Sequence, residues 1–441
     1  MLARITLAFL LIVSAGLCQA QEPVSSSQAN FEAAEDLSAA NLLPAELLQG
    51  EHYVVDDRVR NDGYINYYTI RSDYGEFEAA STAMLRMRIH EVGALAELDE
   101  LSHTEVFVKS MANAGVDQIV SVQKLVMHPV EAVKGLPSGI GRMFKRYSRQ
   151  SKEAVATGKE YVASQKDADL TLTEEEQADY AAQAVSLTEN YFGVTSAERN
   201  WAEKLRIDPY SSNEILRKAV KNVARVDSLG KIAMAVGGVS IPYIGYVNKV
   251  NEAVWGEDPY ALRDSNHAAL LATGADDALI DEYLKSPWMS PTQQTLLTAA
   301  ISSLENVDGR DGILRQALNP KEEVEVGYFV RAVTLLAWYH RNREPFTSIS
   351  TELAIPGGIT ENGKSVMLFP SDHVHWTEEM AAAAAEYHSV GRSRSEHVRE
   401  LWILGTTSVR ARQELLALGY DLHTDFAEMV KPVAEKSEPG E

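Results

Sequence analysis

The chain has 441 residues, with 63 Asp and Glu against 41 Lys and Arg, for a formal charge of −22. A surface this acidic repels phosphate backbones, which excludes general nucleic-acid binding. A single cysteine excludes an internal disulfide framework, and the length suits two or three hydrophobic cores.

The first twenty residues are laid out as a secretory signal: Arg4, an apolar run from Ile5 to Ala15, and a small-residue exit at Ala20. The run is too short to span a bilayer, so cleavage between Ala20 and Gln21 is expected, with the product exported to the periplasm or the medium. Loss of Arg4 takes the charge from −22 to −23, and loss of Cys18 removes the chain's only thiol. The alternative is a lipoprotein anchored through Cys18. The bulky Leu17 before that cysteine departs from the Leu-Ala-Gly-Cys pattern of lipoprotein signals and argues against it.

The expected fold is mostly α within an α+β class: helical bundle domains, a small N-terminal antiparallel β-meander and a C-terminal β-hairpin. After the signal (1–20), a flexible segment is expected over 21–46 and an α+β domain over 47–166. A connecting helical segment (167–204), a helical bundle (205–345), a C-terminal α+β domain (346–430) and a disordered tail (431–441) complete the chain. Tyr53 to Arg71 alternates around Asn61-Asp62-Gly63, the composition of a tight turn, and a third strand is expected at Glu76 to Ala79. Met84, Leu85, Ile89, Val92, Leu95 and Ala96 then recur at helical spacing.

Asp208-Pro209, Asp258-Pro259, Ser290-Pro291 and Asn319-Pro320 each place a capping side chain before proline, which predicts four helix starts. Gly327 to Tyr339 is nearly all apolar and predicts a buried helix. Beyond it, Pro356-Gly357-Gly358 and Asn362-Gly363 predict the hairpin, and helices are expected over Thr377 to His388 and Ser395 to Leu418, the last capped by Gly419.

Several motifs bear on chemistry. Residues 358–365 match the phosphate-loop pattern letter for letter, but Lys364-Ser365 leads into Val366-Met367-Leu368-Phe369-Pro370, a strand rather than the helix an anion site needs. Gly238-Val-Ser240-Ile-Pro242 fails as a nucleophile elbow because proline replaces the second glycine. Acidic pairs such as Asp56-Asp57 and Asp276-Asp277 are too common in this chain to single out. His128 with Glu131 and His397 with Glu400 read as surface pairs on helices. The run Ile232 to Val247, divided by Pro242, reads as a packed turn between helices.

His373 and His375 sit at a spacing that puts both imidazoles on one face of a strand, with Asp372, Glu378 and Glu379 close in sequence. Around Ile140 the chain turns basic. Arg142, Lys145, Arg146 and Arg149 flank an apolar stripe of Ile140, Met143, Phe144 and Tyr147, a pattern suited either to an anionic membrane surface or to packing on the protein's own core. No cofactor is expected. The leading expectation is an exported, non-catalytic binding or envelope-associated protein whose partner is an envelope protein or an anionic membrane surface contacted by the 140–159 helix. The competing one is a metal-dependent hydrolase built on His373 and His375.

Overall fold

The computed structural model describes residues 31–105, 139–141, 143–144, 186–225, 247–393 and 398–430. Over them the fold is of the mixed α+β class.

The N-terminal strands Leu37–Ser38 (β1), Gln49–Gly50 (β2), Tyr53–Val55 (β3), Arg58–Asn61 (β4), Asn66–Ser72 (β5) and Gly75–Ala80 (β6) form one sheet in the order β1-β4-β5-β3-β2, with β6 on β5. Every pairing in it is antiparallel. The expected turn is present: Gly63 has φ +97°, which favours glycine, and Asp62 Oδ1 accepts from the amides of Tyr64 (3.0 Å) and Ile65 (2.9 Å). Order begins earlier than the expected boundary near Leu47. Short helices Ala39–Leu42 (α1) and Ala45–Leu48 (α2) join β1 to β2, and Ala39 and Leu47 are buried, because these apolar side chains complete the sheet's core.

That core lies under helix α3 (Thr82–Ser102), whose Leu85, Ile89, Val92 and Leu95 face Tyr68, Ile70 and Phe77 of the sheet. Helices α4 (Ser196–Leu205) and α5 (Glu214–Ala224) close the same core through Trp201, Leu205, Leu216 and Val220.

The middle of the chain supplies helices α6 (Val247–Gly256), α7 (Pro259–Ala272), α8 (Asp277–Leu284), α9 (Pro291–Ser302), α10 (Asp311–Gln316) and α11 (Glu323–Asn342). Two of the four proline starts hold: Asp258 caps α7, and Ser290 caps α9 in a capping box with Gln293. The other two are corrected. Asp208 Oδ1 accepts from Tyr210 N to make a turn, and α5 begins instead after Asn213, whose side chain accepts from Leu216 N; Asn319 N bonds back to Gln316 O, and α11 begins only at Glu323. Helix α11 is buried as expected, with Val326, Phe329, Val333, Leu335, Leu336 and Ala337 each fully enclosed. Each of these side chains other than Ala337 contributes roughly 1.5–3 kcal/mol by burial.

The C-terminal hairpin proves to be part of a five-stranded mixed sheet, β13-β11-β9-β8-β7. Phe346–Ser350 (β7), Gly357–Thr360 (β8) and Lys364–Phe369 (β9) run antiparallel, turning between β8 and β9 at Gly363 (φ +74°), whereas Val398–Ile403 (β11) and Asp421–Thr424 (β13) run parallel to β9. The expected helix from Ser395 to Leu418 is therefore corrected: it is strand β11, a loop, and a shorter helix α13 (Val409–Ala417), with Gly419 at φ +81° beyond its end. Helix α12 (Glu378–Ser393) connects β9 to β11. Tyr339 of α11 bonds Glu400 on one face of this sheet, and Tyr387 of α12 bonds Ser365 on the other. Burial on both faces explains the unbroken apolar runs Val366 to Phe369 and Leu401 to Ile403. No helix among the described residues is long and apolar enough to cross a membrane.

Candidate functional site

The three parallel strands point their carboxyl ends the same way, and in open α/β sheets that edge is where ligands bind. Here the chain continues from β9 through Pro370 to Asp372 into the two-residue strand β10 (His373–Val374), and from β11 through Leu404-Gly405 into β12 (Thr406–Thr407). β10 and β12 pair in parallel, setting His373 opposite Thr406. The close approach requires glycine at 405: a Cβ there would lie 2.0 Å from the Asp372 carbonyl oxygen.

The N-terminal sheet grips this edge from the other side. His375 N donates to Gly63 O (3.1 Å), Asp372 N to Tyr64 O (3.0 Å) and Asn61 Nδ2 to His373 O (3.1 Å). Asp372 accepts in turn from the amides of Asn66 and Thr82, both at 3.1 Å. Burial raises the Asp372 carboxyl above the usual range, with Arg331 and these amides opposing. The edge therefore lies between the two cores, a preferred location for ligand sites.

His373 and His375 do share one face, with ring centroids 4.7 Å apart in an edge-to-face arrangement. Burial, reinforced by His375 and opposed by Glu32, lowers His373 to about 4. Burial also lowers His375, against the pull of Glu32 and Glu35. Both rings are thus neutral near pH 7. His373 Nδ1 shares a hydrogen bond with Thr406 Oγ1 (2.7 Å), whereas His375 is 7% exposed and its Nε2 is buried without a hydrogen-bond partner. An orphaned buried ring nitrogen costs about 1–3 kcal/mol, which a ligand group able to bond it would recover.

The N-terminal segment completes the site. Glu32 Oε2 accepts from Trp376 N and from Ser408 Oγ, each at 2.6 Å, and Glu32 N donates to Trp376 O (2.8 Å). Ser408 is the N-cap of α13, accepting from Ala411 N (2.9 Å). The nearby hydroxyls are engaged: Ser371 with Tyr328, Ser408 with Glu32, Thr406 with His373. An imidazole that protonates only near 4 is a poor general base at neutral pH, so the Thr406–His373 pair is weakly suited to nucleophilic catalysis.

Among the described residues no third ligand joins the two histidines. Among the described residues the one grouping of three possible metal ligands with all donor atoms within 4.8 Å is Glu400, Asp421 and His423. That grouping already holds a cation: Lys364 Nζ lies 2.9 Å from Glu400 Oε1 and 2.8 Å from Glu344, while Glu400 Oε2 accepts from Tyr339 Oη and Trp402 Nε1. Burial pushes Glu400 upward, but the bonds from Lys364, Trp402 and Tyr339 outweigh it and keep the carboxylate ionised. Lys364, the lysine of the phosphate-loop pattern, is thus the counter-ion of a buried carboxylate.

The other expected sites divide clearly. Ala20, Gln21, Cys18, Arg142, Lys145, Arg146, Arg149, His128 and His397 lie outside the described residues. Ile140, Met143 and Phe144 of the basic helix are buried, with Phe144 stacked between Tyr64 (5.5 Å) and Phe369 (6.0 Å). These apolar side chains face the protein's own core, which removes them from any membrane surface. Glu400 is on a strand, so the helical pairing with His397 is corrected. The acidic pairs serve locally: Asp56 holds Arg71, Asp57 holds Ser38 and Ala40 N, and Asp276 caps α8.

Sequence reasoning missed Glu32, Asn61 and the Gly405-Thr406-Thr407-Ser408 loop. The last had a usable signal, an apolar run followed by Gly and a Ser N-cap, which is a strand, turn and helix start.

No family model, curated protein or solved structure matches this chain.

Proposed function

We propose that this is an exported, non-catalytic binding protein of the cell envelope, periplasmic or secreted, whose ligand contacts the edge formed by His373, His375, Thr406 and Ser408. The observation that carries the reading is His375: a neutral imidazole, almost wholly buried, with an unsatisfied Nε2 at the carboxyl end of parallel strands and between two cores. Structural histidines at such depth are normally bonded. The signal-like leader supports export.

The test is a thermal-shift titration of the full chain with acetate, phosphate and Zn2+, each against matched ionic strength. A rise in Tm with at least one probe, lost in a His373→Ala, His375→Ala variant, supports the reading. No rise with any probe at concentrations up to about 100 mM overturns it, since even a millimolar site, roughly 4 kcal/mol of binding, raises stability measurably there.

A further inference from the structure

We propose that the Glu32 carboxylate occupies, in cis, the place of a ligand carboxylate, so that the histidine edge is a carboxylate site closed by the chain's own N-terminal segment. The inference rests on the proposed binding role of that edge and names its ligand chemistry.

Three observations converge. Glu32 Oε2 is gripped at 2.6 Å by a backbone amide, Trp376 N, and at 2.6 Å by a hydroxyl, Ser408 Oγ, the donor pair with which proteins hold carboxylates. One of them, Ser408, is the N-cap of α13, a nine-residue helix whose dipole favours negative charge at that end. Beside them lies the buried, unpartnered Nε2 of His375, whose ring feels Glu32 and Glu35 as its acidic neighbours. Glu32 engages the two donors through a single oxygen, and the His375 ring nitrogen is left for a ligand group to bond.

The segment is fastened lightly. Among the described residues, 31–36 makes one backbone hydrogen bond to the remainder of the chain, Glu32 N to Trp376 O, before β1 begins at Leu37. Besides the two bonds of the Glu32 carboxylate, its side-chain tether among the described residues is Arg58 to Asp36 at 2.6 Å, which is exposed, and such pairs are worth little. A ligand carboxylate competes with an intramolecular one on these terms, and the resident group weakens its apparent affinity by the fraction of chains in which the site is closed.

The experiment uses the full chain with Glu32→Ala and Glu32→Gln. Acetate is expected to bind Glu32→Ala about tenfold or more tightly than wild type, and to restore the Tm lost in that variant where equal chloride does not. A peptide of residues 29–36 added in trans distinguishes an acidic segment from a free acid as the ligand, and either arm succeeding supports the proposal. Glu32→Gln, which keeps the shape but replaces charge-assisted bonds by neutral ones, guards against a folding defect and is expected to weaken the in-cis occupant in part, giving an acetate affinity between those of wild type and Glu32→Ala. Equal acetate affinity in wild type and both variants overturns the in-cis occupant while leaving the binding edge intact. No response to acetate or the peptide in any of the three overturns the carboxylate site itself, whereas a response to Zn2+ or phosphate alone would leave the edge a binding site of other chemistry.

Discussion

Replacing Arg88 by Met is expected to destabilise the N-terminal core by about 3–5 kcal/mol, because it strands a buried carboxylate. Glu91 is 1% exposed and accepts from Arg88 Nη1 at 2.7 Å, Ser211 Oγ at 2.5 Å and Asn213 Nδ2 at 3.0 Å. Without the guanidinium, two neutral donors remain to stabilise a full charge in a low-dielectric site. Glu91→Leu should cost less, since Arg88 keeps Ser212 at 2.6 Å and Glu323 at 3.5 Å. The Arg88→Met, Glu91→Leu pair should cost less than Arg88→Met alone, because removing both charges ends the desolvation penalty. Urea unfolding followed by the fluorescence of Trp201, which is buried in this same core, reads the cycle. A cost under about 1 kcal/mol for Arg88→Met, or additive single costs, would refute the reasoning.

Asp208 faces a small cavity of about 20 Å3, room for about one water, together with His90, Glu91, Asn251 and Thr292. Burial raises it to about 6, against bonds from Thr292 and Tyr210 N, so between its usual 3.8 and 6 the folded state binds the extra proton and stability falls as pH rises. Asp208→Asn, whose oxygen can accept the same bonds, should therefore gain about 1–2 kcal/mol at pH 7 and little at pH 4, and a loss at pH 7 would contradict this. His373 works in the opposite sense. Its folded value of about 4 lies below the usual 6.5, so the unfolded chain binds the proton in that window and stability is lost as pH falls through it. After discounting for partial exposure the loss is roughly 1 kcal/mol, and a His373→Gln variant should show a flatter stability profile between pH 6.5 and 4 than wild type. Gly405→Ala forces a Cβ to 2.0 Å from the Asp372 carbonyl and should cost about 3 kcal/mol or more by prising β10 from β12; an unchanged Tm would show that the loop relaxes freely.

The legible parts of this fold were those specified locally. The Asp62-Gly63 turn, the stripe of α3, the caps Asp258 and Ser290 and the all-apolar face of α11 each follow from a handful of adjacent residues. Strands β11 and β13 were not legible, because Arg399, Glu400 and Leu401 favour helix and only their burial beside β9 selects strand. The site was half legible. The spacing of His373 and His375 placed both rings on one face, but Glu32 reaches them from more than 340 positions away, and its partners are the Trp376 amide and a capping serine, which carry no signature of their own. Ile140, Met143 and Phe144 show the same limit: their spacing announced a buried face without saying whether lipid or Tyr64 and Phe369 would cover it.

The central claim, that the histidine edge is a ligand site closed by Glu32, is tested most directly by the imidazole 15N spectrum of the full chain with Glu32→Ala, titrated with acetate. Saturable shifts confined to His373 and His375, with His52 and His267 unmoved as internal references, are the predicted result. Uniform shifts across all histidines, or none at His375, would contradict it.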